Sequence, residues 1–212
     1  MPETPLVDLT LTEFGARLAA RTSTPGGGSM AAYLVASGSA LVSMAFRFTS
    51  GEKYQAVEAA MAGRVEELDR LRARSLALVD LDSRSYDAVT SAYKLPKASD
   101  AEKAARTAAI QTAMKGALDV PFETMQHALS ALRLCAAGIG DINPNLVSDC
   151  ATGATCLWSA AEAAFLNVRI NAGSITDKAY ASTKVDAGRA MCEEAHRLLA
   201  TAKTAAAKHL PA

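Results

Sequence analysis

Aromatic side chains and strand-like patterns are both scarce in this sequence. Aromatic residues make up 5% of the 212 residues, whereas hydrophobic residues make up 50%. Alanine and leucine carry most of that apolar content, and both are strong helix formers. Residues with a branched β-carbon, which favour strands, are in the minority. The composition therefore predicts an all-α fold, with the segment NVRI as the only short candidate for a strand.

An excess of charge of either sign is also absent. The chain has 22 basic and 22 acidic residues, and its formal net charge is zero. No long basic run occurs, which argues against nucleic acid as a partner. The opening segment MPETPLVDLT contains acids and prolines but no basic region, so it lacks the pattern of a signal peptide.

Metal-binding motifs are missing as well. The four cysteines show no CxxC or similar spacing, and the sequence has only three histidines. The sequence therefore predicts no metal site. We interpret the cysteines as free, buried or half-buried thiols in a reducing compartment, and we expect a cytoplasmic protein. The cysteines are Cys135, Cys150, Cys156 and Cys192.

One long segment, residues 22–46, carries no charge and begins with a glycine-rich loop. Its length alone would allow it to span a membrane. Serines and glycines dilute its hydrophobicity, however, so we interpret it as the central helix of a tightly packed core and expect no membrane partner. Ser29 is the predicted N-cap of this helix, which we expect to end near Thr49.

Helical spacing continues through the rest of the chain. Ser99 and Glu102 predict a capping box, and Pro121 predicts a kink or break in the helix that follows. No repeat or linker is visible, so we expect a single domain over residues 1–212: an antiparallel helical bundle with one long helix and a buried helix of small residues. The predicted helices cover residues 11–20, 29–49, 52–94, 99–136 with an interruption at Pro121, 146–165, and a last helix capped by Thr176 that reaches nearly to His209.

An acidic residue lies on an apolar helical stripe within the segment LALVDLDSRSYDAV. Asp82 comes three residues after Val79 and four before Tyr86, so the three share one helix face. A carboxylate on such a face is costly unless it is paired or used in chemistry, and burial raises its pKa towards the range that suits proton transfer. A carboxylate bonded to a neighbouring helix end is the alternative to a functional acid. Asp80 faces Arg84 instead, as expected for a surface ion pair.

Three asparagines and one aspartate form a second polar group. Asn145 and Asp149 are four residues apart, and so are Asn167 and Asn171, so each pair shares a face where the chain is helical. Amides beside apolar residues suit a heteroaromatic ligand with hydrogen-bonding edges. Helix capping and turn chemistry are the alternative explanation for the same residues.

The glycine-rich motif PGGGS lacks the GK[ST] sequence that completes a Walker loop. Its place at a predicted helix start still leaves backbone N–H groups available to an anion or a carbonyl oxygen. A tight turn that lets two helices approach closely is the alternative. Lys53 and Tyr54 open the long predicted helix and Lys97 follows its end, and each lysine taken alone fits a solvated surface position.

Taken together, these motifs resemble the cyclodeaminase/cyclohydrolase family, which includes the C-terminal domain of formiminotransferase-cyclodeaminase and standalone methenyltetrahydrofolate cyclohydrolases. The matching segments follow the family order and span nearly the whole chain. They are TPGGGS, ALVSM, GEKY, LVDLDSRSYDAV, AYKLPKASDAEKAAR, DVPF, NLVSD and LNVRIN.

The resemblance implies an all-helical homodimer with a folate site near the subunit interface. It also implies that the catalytic aspartate is Asp82 and not Asp80, in agreement with the apolar stripe. We expect Lys97 to bind a carboxylate or to orient Asp82. A tetrahydrofolate derivative is the expected substrate, with no metal and no cofactor. The expected substrate-binding residues are Gly26, Gly27, Gly28, Ser29, Lys53, Tyr54, Asn145, Asp149, Asn167 and Asn171.

Two reactions of the family fit these expectations. In cyclohydrolysis, water attacks the methenyl carbon between N5 and N10 of 5,10-methenyltetrahydrofolate and gives 10-formyltetrahydrofolate. In cyclodeamination, N10 of 5-formiminotetrahydrofolate attacks the formimino carbon, and ammonia leaves. Both need a proton shuttle. The segment from LPKASD to DVPF resembles bacterial cyclohydrolases and favours the first reaction; cyclodeamination and a non-catalytic folate-binding helical module are the alternatives.

Overall fold

Helices dominate the computed structural model, which describes residues 4–209. Within that range there are six α-helices and no strand, which confirms the predicted all-α bundle. Short 3-10 helices at Leu6–Asp8, Glu52–Tyr54 and Pro144–Leu146 precede α1, α3 and α5. The α-helices are α1 (Leu11–Ala19), α2 (Gly27–Arg47), α3 (Glu58–Tyr93), α4 (Asp100–Gly138), α5 (Val147–Gly173) and α6 (Lys178–Ala207).

Side-chain pairs give the relative directions of the helices. Ser29 near the start of α2 bonds to Asp82 of α3, whereas Ser43 near the end of α2 bonds to Asp69, which lies earlier in α3. These two helices are therefore antiparallel, as predicted. The helix α4 packs on α3 and α5, and α6 packs on α4 and α5.

The uncharged helix α2 lies between α3 and α5. It is long and apolar enough to cross a bilayer, but 61% of its most apolar window is buried inside the protein, as predicted for a core helix. It crosses α5 closely because both helices carry glycine at the contact. A β-carbon on Gly38 would lie 2.9 Å from the carbonyl oxygen of Gly153, and one on Gly153 would lie 2.8 Å from a methyl group of Val42.

All four cysteines are free, and three of them are buried, as predicted. The sulfur atoms of Cys135 and Cys150 lie 3.6 Å apart between α4 and α5. Burial raises the pKa of the Cys192 thiol, so this side chain is protonated and packs as a small apolar group.

The capping box predicted at the start of α4 is confirmed. Ser99 accepts a hydrogen bond from the Glu102 N–H, and the Glu102 carboxylate accepts one from the Ser99 N–H. A second box, which we did not predict, begins α1 with Thr10 and Glu13. Both boxes satisfy backbone donors that have no partner within the helix.

The predicted N-cap of α2 is wrong. The helix begins at Gly27, and Gly26 occupies the N-cap without a side-chain hydrogen bond. Ser29 lies inside the first turn, fully buried, because its hydroxyl is used on Asp82 of the neighbouring helix. The glycine loop therefore extends into the helix itself.

The predicted cap of the last helix is also wrong by one residue. Asp177 is the N-cap of α6, and its carboxylate accepts a hydrogen bond from the Tyr180 N–H. Thr176 cannot take this place because its backbone N–H and its hydroxyl both donate to the Gln111 side chain of α4.

The long helix α3 begins later than predicted. The chain turns at Gly51, which has a φ of 87°, and the Tyr54 N–H donates to the Gly51 carbonyl in a 3-10 helix. Helical bonding of the α type begins only where the Met61 N–H donates to the Val57 carbonyl. Lys53 and Tyr54 thus belong to a separate turn and not to α3.

The helix α5 extends past its predicted end at Phe165 to Gly173. The segment NVRI, the only short candidate for a strand, is helical, in agreement with the predicted all-α fold. Val168 and Ala172, four residues apart, are both buried in the core, and this spacing continues the buried face of the helix.

We predicted a kink or a break at Pro121, and a break does not occur: α4 is continuous past this residue. Proline has no N–H to donate to the carbonyl four residues earlier, which is that of Ala117. That carbonyl instead accepts a hydrogen bond of 2.7 Å from the Asn171 side chain of α5. A partner from another helix therefore replaces the missing intrahelical bond.

Asp80 does not have the partner predicted for it. Its carboxylate accepts hydrogen bonds from the backbone N–H groups of Leu6 at 2.7 Å and Val7 at 3.4 Å. It therefore holds the first 3-10 helix against α3, in place of the predicted surface pair with Arg84.

The glycine contact between α2 and α5 predicts the effect of one added methyl group. Gly153→Ala is expected to lower the free energy of unfolding by about 1–3 kcal/mol, because the new β-carbon overlaps packed backbone and side-chain atoms. Gly63→Ala on α3 is the control, since its β-carbon meets nothing within 4 Å and alanine favours a helix. Denaturant unfolding measures both; equal stability of the Gly153 and Gly63 variants would contradict the close packing.

Candidate functional site

A cavity of about 380 Å³ opens where α2 begins. We call it the Asp82 cavity. Its walls come from the glycine loop, the middle of α3, and the facing parts of α4 and α5. The lining residues are Ser23, Thr24, Gly26, Gly27, Gly28, Asp82, Ser85, Tyr86, Val89, Met114, Ala117, Asn167, Ile170, Asn171 and Ser174.

Asp82 lies against the backbone at the start of α2. A β-carbon on Gly28 would come within 2.1 Å of the Asp82 Oδ1 atom, so only glycine allows this approach. The Ser29 hydroxyl donates to Asp82 Oδ2 at 2.9 Å. Gly28 and Ser29 thus fix the carboxyl group, the first by leaving space and the second by a hydrogen bond.

The surroundings of Asp82 change its acidity. Burial raises the pKa of its carboxyl group, while the Ser29 hydrogen bonds partly oppose this rise. Among the described residues that line the Asp82 cavity, the only other titratable one is Tyr86. A carboxyl group with a raised pKa can take up and return a proton closer to neutral pH than an exposed aspartate can.

Asn171 is oriented by the proline of α4. Its side-chain amide donates to the Ala117 carbonyl, which is free because Pro121 has no N–H. This bond uses a donor of the amide, so the acceptor oxygen of Asn171 is left for the cavity that the residue lines. The motif DVPF thus contributes to the site through Pro121, which leaves the Ala117 carbonyl free for Asn171, and not through side chains that line the cavity.

Asn167 is held in a similar way. Its amide donates to the Ala163 carbonyl one turn earlier in α5, at 2.9 Å, and its nitrogen would lie 3.5 Å from a β-carbon on Gly27. The amide oxygen again remains as an acceptor. The two asparagines therefore present oriented acceptors from one face of α5, as their spacing predicted.

The start of α2 supplies hydrogen-bond donors. The first hydrogen bond along the helix runs from the Met30 N–H to the Gly26 carbonyl, and the N-cap provides no side-chain acceptor. The N–H groups of Gly27 and Gly28 precede that bond and have no intrahelical partner. The helix dipole adds a positive potential at this end.

Apolar side chains complete the site and extend onto the surface. Ile170 and Tyr86 line the cavity, yet they are 73% and 43% exposed. Leu166, one turn before Ile170, is 62% exposed. The cavity therefore has an apolar rim beside its polar floor, which suits a flat ring system with polar edges.

Four of the predicted substrate-binding residues lie at the other end of the bundle. Lys53 and Tyr54 follow the end of α2, whose 21 residues span about 30 Å. Asn145 and Asp149 lie near the same end, where the neighbouring Asn143 N–H donates to a threonine that follows α2. Within one chain, these four residues cannot contact a ligand beside Asp82.

Lys97 also lies outside the cavity. It is exposed in the loop between α3 and α4, past the end of α3 at Tyr93. Asp82 is 11 residues before that end, which corresponds to about 17 Å of helix. In this chain the group that orients Asp82 is Ser29 and not Lys97.

Sequence reasoning missed two contributors to the site. Ser83 lies next to Asp82 in the chain and contacts Ser29 at 3.2 Å between their hydroxyl oxygens. Pro121 acts by leaving the carbonyl group of Ala117 free to accept a hydrogen bond from Asn171. Neither has a spacing signal, because both effects depend on how two helices meet. Within residues 4–209, no three His, Cys, Asp or Glu side chains cluster as metal ligands would.

Comparison with known proteins identifies the family of this chain. A family model described as formiminotransferase-cyclodeaminase matches residues 10–189. The chain is 37% identical over 182 residues to a methenyltetrahydrofolate cyclohydrolase of Methylorubrum extorquens, and the match covers 85% of this chain and 88% of that protein. It is 34% identical over 184 residues to the rat formimidoyltransferase-cyclodeaminase, of which the match covers 33%.

A solved structure is similar along almost the whole length. The crystal structure of formiminotetrahydrofolate cyclodeaminase from Thermotoga maritima superimposes with a TM-score of 0.84 at 26% sequence identity, and it covers 95% of this chain and 97% of that one. Fold, sequence and family model agree. The chain belongs to the formiminotransferase-cyclodeaminase family of enzymes.

Proposed function

We propose that this protein is a methenyltetrahydrofolate cyclohydrolase, which converts 5,10-methenyltetrahydrofolate and water into 10-formyltetrahydrofolate. The observation that carries the proposal is the Asp82 carboxyl group, buried against Gly28 and facing a cavity with oriented amide oxygens. The cyclohydrolase of Methylorubrum extorquens supports this choice, because it matches the chain along nearly the full length of both proteins.

The proposed chemistry requires an acid–base group and little else. The methenyl carbon between N5 and N10 carries a delocalised positive charge, so it is already electrophilic and needs no metal for activation. Asp82 takes a proton from the attacking water as the carbon–oxygen bond forms. It then gives that proton to N5 as the carbon–N5 bond breaks. The proton of the former water hydroxyl returns to Asp82 as the formyl carbonyl forms on N10.

In this proposal, the substrate is bound by residues that line the cavity around Asp82. The amide oxygens of Asn167 and Asn171 accept hydrogen bonds from the pterin amino and ring N–H groups. The N–H groups of Gly27 and Gly28 donate to an oxygen of the ligand. A carboxylate at Asp82 also attracts the cationic substrate, so the substrate binds more tightly than the neutral product.

Cyclodeamination is the second candidate reaction. The rat relative and the Thermotoga maritima structure both carry cyclodeaminase names. The reaction passes through the same kind of tetrahedral carbon between two nitrogens and can use the same aspartate. An assay of ammonia release from 5-formiminotetrahydrofolate distinguishes it from the loss of methenyltetrahydrofolate absorbance. Folate binding without either activity would instead favour a non-catalytic module.

We further propose that the protein acts as a homodimer. The exposed apolar rim formed by Leu166, Ile170 and Tyr86 borders the Asp82 cavity and would be covered by a second subunit. The opposite end of that subunit would then bring its Lys53 to the cavity of the first. This arrangement accounts for the separation of the predicted binding residues within one chain.

Asp82→Asn is expected to lower the rate of cyclohydrolysis at saturating substrate by about 100-fold or more, because the asparagine amide cannot act as an acid or a base. Folate binding is expected to persist, since the amide keeps the size of the carboxyl group. The assay follows methenyltetrahydrofolate absorbance against the uncatalysed rate, with Asp186→Asn on the exposed face of α6 as the matched control. Turnover at the wild-type rate in the Asp82 variant would remove the assigned role.

Subunit mixing tests whether the site is shared between chains. Asp82→Asn and Lys53→Ala are each expected to be weakly active alone. When the two variants are denatured together and refolded, a symmetric dimer with shared sites regains about one quarter of wild-type activity, because hybrid dimers contain one unaltered site. No recovery, or full activity of Lys53→Ala alone, would contradict the shared site.

A further inference from the structure

The hydrogen bonds of Asp82 continue through two serines away from the Asp82 cavity. Asp82 Oδ2 accepts from the Ser29 hydroxyl at 2.9 Å, and the Ser29 and Ser83 hydroxyl oxygens lie 3.2 Å apart. Ser29 is fully buried, whereas Ser83 is only partly buried. Because the single proton of Ser29 is donated to Asp82, Ser29 must accept from Ser83. The three groups therefore form one directed chain.

The far end of this chain opens into a different cavity. This second cavity, of about 400 Å³, lies on the other side of the glycine loop and is lined in part by Ser83, Thr24 and Pro25. Exposed residues, Arg84 and Asp87 among them, also line it, so it reaches solvent. The charged side chains that face it are Arg17, Asp80, Arg84 and Asp87.

The two serines depart from the usual behaviour of hydroxyl groups on helices. Such groups commonly donate to a carbonyl of the preceding turn. Ser37 does so with Tyr33, and Thr124 does so with Val120. Ser29 lies in the first turn of α2, where no earlier turn of the helix offers a carbonyl, and its buried hydroxyl bonds across to α3. Its geometry thus favours a link between helices.

The proposed reaction creates a need for such a link. A cationic substrate and water become a neutral product and one proton, so every turnover leaves a proton on Asp82. A bound folate covers the cavity face of this carboxyl group and blocks direct exchange with solvent. A second route would let the proton leave Asp82 before the product does.

We propose that Ser29 and Ser83 relay this proton from Asp82 to the second cavity, an inference that depends on the cyclohydrolase function proposed above. The protonated Asp82 passes its proton to the Ser29 oxygen as Ser29 passes its own to Ser83. Ser83 in turn releases its proton to water in the second cavity. Asp82 loses its O–H bond, and each serine oxygen gains one O–H bond and loses one. The relay begins with both hydroxyls rotated away from Asp82 and ends with each donating towards it, as in the structure.

Ser83→Ala tests the relay, because it removes the second hydroxyl and leaves the direct bond between Ser29 and Asp82. The rate at saturating substrate is expected to fall about tenfold, a modest part of the range typical of proton-transfer groups. KM is expected to stay unchanged, because Ser83 does not line the Asp82 cavity. Ser83→Thr, which keeps a hydroxyl, is expected to restore the rate, and Ser91→Ala on the exposed part of α3 is the control.

Small buffers separate a relay from a structural role. Imidazole at increasing concentration is expected to raise the rate of Ser83→Ala towards wild type, since a diffusing acceptor replaces the missing path. Wild-type turnover in Ser83→Ala, or a loss that neither imidazole nor threonine restores, would overturn the relay while the cyclohydrolase function stands. A wild-type chain without cyclohydrolase activity would overturn both.

Discussion

The close approach of Asp82 to the backbone of Gly28 is the contact on which the site depends. It requires a residue without a β-carbon at the start of α2, since any other would lie within 2.1 Å of the carboxylate. It also buries the carboxyl group beside a helix N-terminus and within reach of Ser29. The glycine loop thus serves chiefly to bring a carboxyl group to a helix start, and its free N–H groups face the same cavity.

The packing of the other helices around α2 completes this arrangement. Small residues let α2 cross α5 closely at Gly38 and Gly153, and the same helix α5 carries the two asparagines of the site. The missing N–H of Pro121 leaves a carbonyl that orients Asn171. The helix contacts that pack the core therefore also position the two amides of the site.

The sequence predicted the parts of this account that depend on periodicity and local composition. The all-α bundle, the central helix and the position of Asp82 on a buried stripe all follow from residue spacing. The exact helix starts did not, because Ser29 has the composition of an N-cap but a partner on another helix. The effect of Pro121 was also missed, since its replacement partner comes from α5. Lys53 was assigned to the site by resemblance and Asn145 by resemblance and spacing, and within a single chain both lie far from it.

The raised pKa of Asp82 is the central claim about the site, and it can be measured without substrate. The carbon-13 signal of the Asp82 carboxyl group, assigned by its loss in Asp82→Asn, is followed by NMR as pH is varied. Burial predicts a midpoint above that of an exposed aspartate, and a still higher one in Ser29→Ala, where the hydrogen bond that favours the charged form is lost. A midpoint at or below the ordinary aspartate value in the wild-type protein would contradict the account.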